Sequence, residues 1–290
     1  MQEKIITFLQ EIKKSTDKEI DQALQNSEPM IEGLYKSAIY SAAGGKRVRA
    51  VYTNLVGRLF DVDPDCMLKT ACAVEMIHAA SLIMDDLPYM DDSQLRRGKP
   101  ANHVVFGQDV ALCASIAMLA KANELVLMDD RIDSDVKIKV SQVLLHSYGF
   151  EGLAAGQFVD LKLKRKNIEY EIIRYINDKK TAALFTAAGK AGAIIGNAND
   201  DQIHAIEEYS RNIGFAFQII DDILDVTGDK EVVGKDLSHD SMNYVMLVGK
   251  EEAEKRAKKY TDKALNTLKL FGDKAKELVA FSEFLINRVN

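Results

Sequence analysis

The distribution of proline is the feature that most constrains the fold of this chain. All four prolines, Pro29, Pro64, Pro88 and Pro100, lie in the first hundred residues, and residues 101–290 contain none. Proline inside a helix removes a hydrogen bond and clashes with the preceding turn, so its absence leaves long segments free to be helical. Apolar residues recur in these segments at three- and four-residue spacing, and strand signals are nearly absent. The sequence therefore predicts an all-α fold.

The candidate helices share this apolar spacing. We predict them at about residues 3–26, 30–42, 46–59, 65–86, 107–129, 133–166, 169–196, 200–227 and 248–288, the last with a break near Gly272. Residues 228–247 are polar and punctuated by glycine, which predicts a loop. Since no repeat or flexible linker divides the chain, we expect residues 1–290 to form a single helical domain around a central cavity.

Composition narrows the range of functions. The chain is 47% hydrophobic, as in an ordinary globular protein, and its net charge of −6 disfavours a nucleic-acid-binding role. The longest apolar run, about 110–120, is too short to span a membrane, and the N-terminus lacks the apolar core of a signal peptide. Three cysteines without metal-ligand spacing, Cys66, Cys72 and Cys113, predict reduced core residues. We expect a cytoplasmic protein.

One acidic cluster lies in the apolar segment 200–227. Gln218, Asp221, Asp222 and Asp225 follow the i, i+3, i+4, i+7 spacing, so they share one face of a helix. A solvated acidic face is the alternative, but the flanking residues are strongly apolar. Carboxylates crowded in apolar sequence repel one another unless a hard cation or a basic partner is present, and magnesium is the natural candidate.

A second acidic cluster ends the apolar segment 65–86. Asp85 and Asp86 close the predicted helix, and Pro88 bends the chain so that Asp91 can return toward them. His78 lies two turns before Asp85 on the same face. It is either a satisfied core histidine or a ligand-contacting residue, and it suits magnesium less well than oxygen ligands do.

Three short basic groups complete the pattern. They are Gly44-Gly45-Lys46-Arg47-Val48-Arg49, Arg96-Arg97-Gly98-Lys99 and Lys179-Lys180-Thr181. Any one of them alone could be ordinary surface charge. Together with two magnesium-type clusters they indicate polyphosphate binding, because a polyphosphate needs cations and arginines. The sequence has no GxxxxGK[ST] loop and no GxGxxG, which disfavours a nucleotide.

These motifs resemble, in the same order, those of the trans-isoprenyl diphosphate synthase (polyprenyl synthetase) family, which includes farnesyl and geranylgeranyl diphosphate synthases. The resemblance covers about residues 30–250 through GGKRVR, EMIHAASLIMDDLPYMDDSQLRRGKP, GQFVD, DKKTAALF and GFAFQIIDDILDVTGD. It implies an isoprenoid-synthase-like helical bundle around a central active-site cavity, and a homodimer. It also implies head-to-tail condensation of isopentenyl diphosphate with an allylic diphosphate.

The resemblance further implies roles for residues at matching positions. Metal ligands for Mg²⁺, or alternatively Mn²⁺, are implied at Asp85, Asp86, Asp91, Asp221 and Asp225, with Asp222 beside them. Contacts to the allylic diphosphate and the developing cation are implied at Arg96, Lys180, Thr181, Gln218 and Lys235. The isopentenyl diphosphate pocket is implied at Gly45, Lys46, Arg49, His78 and Arg97.

Product length is expected to depend on the residues beneath the first aspartates. In relatives that stop at fifteen carbons the fifth residue before the first aspartate is often aromatic, whereas here it is Ala80, followed by Ser81. Two small residues favour a cavity for about twenty carbons. A farnesyl product remains the alternative, with Ala80 serving only as a packing contact.

The sequence departs from the family pattern at a few positions. Ser241 stands where relatives usually carry a lysine, and Ala182 and Met84 replace a glycine and a histidine. Two other functions therefore stay open: a noncatalytic partner subunit, and a terpene cyclase. The presence of both aspartate motifs argues against each. GGKRVR and Arg96-Arg97, which resemble an isopentenyl diphosphate pocket, also disfavour a head-to-head condensing enzyme.

Overall fold

The computed structural model describes residues 2–163, 170–227 and 244–286. The described residues form fourteen α-helices, which confirms the all-α prediction. In chain order they are α1 Gln2–Ala23, α2 Glu32–Ala42, α3 Val48–Leu59, α4 Pro64–Asp85, α5 Asn102–Phe106, α6 Gln108–Leu127, α7 Ser134–Tyr148, α8 Leu153–Leu163, α9 Tyr170–Asn177, α10 Ala183–Ile195, α11 Asp200–Thr227, α12 Tyr244–Val248, α13 Lys250–Thr267 and α14 Lys276–Ile286.

Other regular structure is short. A π-helical turn, Asp178–Ala182, joins α9 to α10, and 3-10 segments lie at Pro29–Ile31 and Leu268–Ala275. Strands β1 (Leu95–Arg96) and β2 (Lys99–Pro100) form an antiparallel hairpin that the sequence did not predict. Strands of two residues are too short to carry a period-2 pattern.

The centre of the fold is built on α4, which packs against α3, α6 and α10. Proline at its first turn and the side chain of Asp63, which accepts the backbone N–H of Asp65 at 2.9 Å, begin this helix. Helix α10 packs against α3, α7 and α11, and α11 packs in turn against α13. The long helices α4, α10 and α11 therefore place their functional residues around one centre.

An aromatic cluster holds α3, α10, α11 and α14 together. The ring of Tyr52 lies 6.0 Å from Phe185, 5.8 Å from Tyr209 and 5.8 Å from Phe281, centre to centre, and all four side chains are buried. Gly189 permits this approach, because a Cβ there would lie 2.4 Å from the Tyr52 hydroxyl. Such rings contribute both buried area and edge-to-face or offset contacts.

The predicted helix 133–166 is wrong as a single element. The structure breaks it between α7 and α8, where Gly149 is extended and the N–H of Gly152 donates to the Gly149 carbonyl at 3.1 Å. A Cβ at Gly152 would lie 1.8 Å from the Ser147 carbonyl oxygen, so the turn requires glycine.

The C-terminal predictions have mixed outcomes. The break near Gly272 is confirmed, because this residue has a φ of 54° and a ψ of −132°. Residues 244–247 were predicted as loop, but they begin helix α12. Residues 228–243 lie outside the described ones. That residues 1–290 form one domain stays a prediction.

Among the described helices, α4 and α6 are long and apolar enough to cross a membrane by length and composition. Most of the apolar window of α4 is buried inside the protein, so core packing accounts for its composition. Helix α6 differs, since Leu112 and Ile116 on it are exposed. Of the cysteines, Cys72 is buried as predicted, whereas Cys113 on α6 is exposed and is not a core residue.

Candidate functional site

The first aspartate motif lies at the C-terminal end of α4. The helix ends at Asp85, and Asp86 takes the cap position. Beyond Pro88 the chain turns back, because the backbone N–H of Asp91 donates to the carbonyl of Asp85 at 2.9 Å. The structure thus places Asp91 beside Asp85, as the sequence predicts.

Asp86 is held by a buried ion pair with Arg96. The Nε of Arg96 lies 3.0 and 3.1 Å from the two carboxylate oxygens, and its Nη2 also donates to Oδ1. Burial raises the pKa of Asp86, while Arg96 opposes that shift. The hairpin aims Arg96 through a tight turn at Arg97 and Gly98, whose φ values of 54° and 72° are both positive. A metal-ligand role for Asp86 stays a prediction.

The Asp85 carboxylate differs from that of Asp86 in its hydrogen bonding. Burial raises its pKa to about 6, Lys180 lowers it, and the charge of Asp91 raises it further. Within the described residues we find no hydrogen-bond donor to the Asp85 carboxylate. A desolvated carboxylate without a donor is costly in its ionised form. The two carboxylate oxygens of Asp85 are therefore suited to bind a cation that is not part of the chain.

The π-helical turn brings the two aspartate motifs together. The N–H of Ala183 donates to the carbonyl of Asp178, which widens the helix by one residue. Burial lowers the pKa of Lys180, but Asp85, Asp160 and Asp91 outweigh it, so the net shift is upward and the ammonium stays charged. The next residue, Thr181, donates to Oε1 of Gln218 on α11 at 2.6 Å. Consecutive residues therefore reach the two motifs.

The third member of that basic group points elsewhere. The Nζ of Lys179 lies 5.8 Å from the centre of the Tyr175 ring and 3.9 Å from a carboxylate oxygen of Asp178. The structure therefore brings Lys180 and Thr181 into the site and leaves Lys179 outside it.

Two residues of α8 belong to the site although we did not predict them. Asp160 accepts from Lys180 Nζ at 2.8 Å, and Gln157 donates to Asp91 at 3.5 Å. Gly156 allows α8 to pack closely on the π turn, since a Cβ there would lie 2.8 Å from the Lys180 Cγ. The signal was the GQFVD motif, in which Gln157 and Asp160 are three residues apart and share a helix face.

The second motif lies near the C-terminal end of α11. Asp222 accepts a hydrogen bond from Gln218 Nε2 at 2.8 Å and another from the backbone N–H of Tyr244 at 2.8 Å. Burial raises its pKa to about 6, the two donors lower it, and the charges of Asp225 and Asp221 raise it. Asp222 is buried, whereas Asp221 and Asp225 are partly exposed. The predicted common face of these residues is consistent with the contact between Gln218 and Asp222.

The predicted basic pocket forms a wall beside the first motif. Arg49 is buried with its guanidinium 4.8 Å from the centre of the Phe185 ring, and Lys46 is exposed. Arg97 donates to the Ala43 carbonyl at 3.2 Å. The pKa of His78 is well below its usual range because of burial, and the fields of nearby arginines, Arg49 first, add to this. His78 is therefore a neutral residue among cationic ones.

The carboxylates of the two aspartate motifs are the candidate ligands for a metal ion. Residues 2–163, 170–227 and 244–286 contain no group of three or more His, Cys, Asp or Glu side chains arranged to hold a metal ion. The donor chemistry nevertheless fits a hard divalent cation, which prefers carboxylate oxygens. The Asp85 carboxylate next to Asp91 is desolvated and has no hydrogen-bond donor in the described part of the chain, and a cation would relieve that cost.

The remaining predicted residues have different outcomes. Ala80 is fully buried, and its carbonyl accepts from Ser115 on α6 at 3.0 Å. Its role in product length stays a prediction. Ser81 is partly exposed and lies four residues before Asp85 on the same face. Lys235 and Ser241 lie outside the described residues, and their roles stay predictions.

Comparison with known proteins places this site in a defined context. The sequence model described as polyprenyl synthetase matches residues 31–280. A geranylgeranyl diphosphate synthase from Cyanophora paradoxa is 36% identical and the match covers 99% of this chain and 97% of that protein. A dimethylallyltranstransferase from Fischerella ambigua is 35% identical over 98% of this chain and 83% of that protein.

A solved structure of a related synthase has the same fold. The apo crystal structure of an FPP/GFPP synthase from Zymomonas mobilis superposes with a TM-score of 0.89 at 31% identity, covering 99% of this chain and all of that one. The sequence and structural matches therefore extend over nearly the entire chain.

Proposed function

The chain belongs to the polyprenyl synthetase family, and we propose that its site joins isopentenyl diphosphate head-to-tail to an allylic diphosphate. It is a short-chain trans-prenyltransferase, and its allylic substrates are dimethylallyl, geranyl or farnesyl diphosphate. One observation carries this proposal: the π turn places Lys180 beside Asp85 and Thr181 against Gln218, between two carboxylate motifs. Cationic and carboxylate groups interleaved in this way suit a diphosphate bound through cations.

The allylic diphosphate binds between the two motifs. Lys180 stays charged and Arg96 is fixed by Asp86, so both stabilise the negative charge that grows on the departing diphosphate. The allylic C–O bond breaks, and its electron pair leaves with the diphosphate. The oxygen dipoles of Thr181 and Gln218 stabilise the allylic cation.

Magnesium is the proposed cofactor. Asp85 and Asp91, with Asp221 and Asp225 from the second motif, would hold it. When bound, it supplies Lewis-acid neutralisation of the diphosphate, an effect worth several kcal/mol.

Isopentenyl diphosphate binds at the basic wall. Lys46, Arg49 and Arg97 hold its diphosphate, and neutral His78 hydrogen-bonds to it without adding charge. Its double bond attacks the allylic cation and forms the new C–C bond. A proton then leaves the adjacent carbon for the released diphosphate, which gives an allylic product five carbons longer.

The test is incubation of the purified protein with isopentenyl diphosphate, Mg²⁺ and each of the three allylic starters. The dephosphorylated alcohols are then sized by chromatography, with Asp85→Ala and Asp221→Ala as inactive controls. Elongation to fifteen or twenty carbons is expected. Magnesium-dependent binding without elongation would overturn this function in favour of a noncatalytic partner subunit, and a cyclic hydrocarbon would indicate a terpene cyclase.

Geranylgeranyl diphosphate is the proposed end product, with farnesyl diphosphate as the alternative. What supports it is the small side chain of Ser81 beneath Asp85, together with the similarity to geranylgeranyl diphosphate synthases. Ser81→Phe is expected to shorten the product by at least one isoprene unit. Ala80→Val is the matched variant: because Ala80 packs on Ser115, it is expected to lower the melting temperature without shortening the product.

A homodimer is part of the proposal. What supports it is the apolar surface around α6, where Leu112, Ile116 and Leu127 are exposed on a helix of largely apolar composition. Ile116→Glu is expected to yield monomers in light scattering. Leu270→Glu is the matched control, because Leu270 and Ile116 are both 58% exposed but Leu270 lies near the C-terminus. Monomeric wild-type protein would remove this part of the proposal.

A cytoplasmic location completes the proposal. What supports it is that Cys66, Cys72 and Cys113 are all free, as is usual where thiols are kept reduced. Cell fractionation tests it.

A further inference from the structure

Arg47 is a buried cation that the proposed mechanism does not use. It lies between Lys46 and the start of α3, is 3% exposed, and has a φ of 55°. Its Nε donates to Asp17 on α1 at 2.6 Å, and its Nη2 donates to the Ala42 carbonyl at 2.6 Å. A guanidinium buried with so many bonds fixes the backbone that carries it.

Glu75 on α4 joins this cation to the helix that it precedes. One Glu75 oxygen lies 3.7 Å from Nη1 of Arg47. The other accepts the backbone N–H groups of Arg49 and Ala50 at 3.1 and 3.0 Å. These are N–H groups of the first helical turn, which have no partner inside a helix. The buried carboxylate of Glu75 therefore anchors the start of α3 to α4.

The same contacts border the basic wall. A Cβ on Gly45 would lie 2.8 Å from Nη1 of Arg47 and 3.5 Å from Nη1 of Arg97, so the Gly45 backbone rests against both guanidinium groups. Glu75 precedes His78 by three residues and shares its helix face. The network therefore includes contacts to Gly45 and Arg49, two residues of the proposed isopentenyl diphosphate pocket, and lies one helical turn from a third, His78.

We propose that Arg47 and Glu75 are positioning residues for the isopentenyl diphosphate pocket, which they pre-form by locking the start of α3 to α1 and α4. This inference rests on the proposed function. The two residues act through Lys46, Arg49 and the Gly45 backbone and make no substrate contact of their own. Pre-forming a binding wall lowers the ordering cost of binding, so its loss weakens affinity for one substrate.

The experiment is steady-state kinetics of Arg47→Lys, Arg47→Met and Glu75→Gln with both substrates varied. Arg47→Met and Glu75→Gln are each expected to raise KM for isopentenyl diphosphate about 10-fold, with kcat within about 3-fold and the allylic KM unchanged. Arg47→Lys retains the charge, so we expect a smaller rise than for Arg47→Met. Arg58→Met is the matched control, because Arg58 is at the other end of α3 and pairs with Glu277 at the surface. It is expected to change neither KM.

Several outcomes would overturn the inference. They are equal rises in both KM values, a change in kcat alone, or a fall in melting temperature with both KM values unchanged. If the Arg47 and Glu75 variants do not fold, Asp17→Asn decides, because Asp17 is only partly buried. A selective rise of about 3-fold in KM for isopentenyl diphosphate supports the network, and an unselective or absent change removes it. Inactive wild-type protein would refute the proposed function instead.

Discussion

The two aspartate motifs are alike in sequence but differ in how the protein holds their carboxylates. In the first motif Asp86 is paired with the charged guanidinium of Arg96, and the charged Lys180 lies near Asp85. In the second motif Asp222 accepts hydrogen bonds, among the described residues, from two uncharged donors, the Gln218 amide and the Tyr244 backbone. Within the part of the chain that the structure describes, side-chain cations therefore hold the first motif, and dipoles hold Asp222 of the second.

This difference separates two tasks that carboxylates perform in one site. Asp86 binds Arg96 and Asp222 binds Gln218, so each of these two carboxylates orients a neighbouring side chain. Asp85 has no hydrogen-bond donor among the described residues, and desolvation raises its pKa to about 6. We infer that Asp85 depends most on an added cation, and that Asp86 and Asp222 act mainly by orienting neighbours.

The largest expected effect is the loss of activity in Asp85→Asn. The change removes the charge of a proposed magnesium ligand that has no hydrogen-bond donor among the described residues, so kcat should fall about 10³-fold, which corresponds to about 4 kcal/mol of lost stabilisation. Asp222→Asn should lose only about 10-fold, because the amide oxygen can still accept the Tyr244 N–H. Single-turnover kinetics across a magnesium titration measures both. Equal losses would break the distinction between the two motifs.

The next effect is on stability and concerns Asp86→Asn. This change leaves the half-buried Arg96 without its ionised partner, so the free energy of unfolding should fall by about 1–3 kcal/mol. Asp85→Asn is the matched control at the adjacent position. It removes a desolvated charge without breaking a hydrogen bond found in the described residues, so it should leave stability unchanged or raise it. Urea denaturation without metal measures both. A larger loss in Asp85→Asn would contradict the assignment of roles.

The spacing of the second motif shows what the sequence can establish. Gln218 and Asp222 are four residues apart, and side chains with that separation in an α-helix lie next to each other. Their contact could therefore be predicted from the helix alone, without the tertiary structure. The return of Asp91 toward Asp85 was predictable for the same local reason, since Pro88 cannot continue the helix. Most helices were also predictable, because their apolar spacing is set by the core that they face.

Other features depend on contacts that no local pattern encodes. The segment from Asp178 to Ala182 has the composition of an ordinary helix, so its π turn was not predictable from periodicity, although it decides where Lys180 and Thr181 point. The pairing of Asp86 with Arg96 depends on a hairpin of two-residue strands. Arg47 belonged to a basic group that the sequence predicted to bind polyphosphate, with surface charge as the alternative, and only the fold shows that it pairs with α1 and α4 in the interior.

The smallest expected effect is on the pH dependence of stability without metal. It tests whether Asp85 and Asp222, one from each motif, have the same desolvation cost in spite of their different neighbours. The pKa of Asp85 and of Asp222 is raised to about 6 from an ordinary value near 4. A raised carboxyl pKa stabilises the folded state at low pH, and this contribution is lost as pH rises through 6. Between pH 5 and 7, wild-type protein in EDTA should therefore lose about 1 kcal/mol of stability relative to either Asp85→Asn or Asp222→Asn. Urea denaturation at several pH values measures this difference, and added magnesium should abolish it for Asp85. If only one of the two variants differs from wild type in this pH dependence, the desolvation costs of Asp85 and Asp222 are not equal.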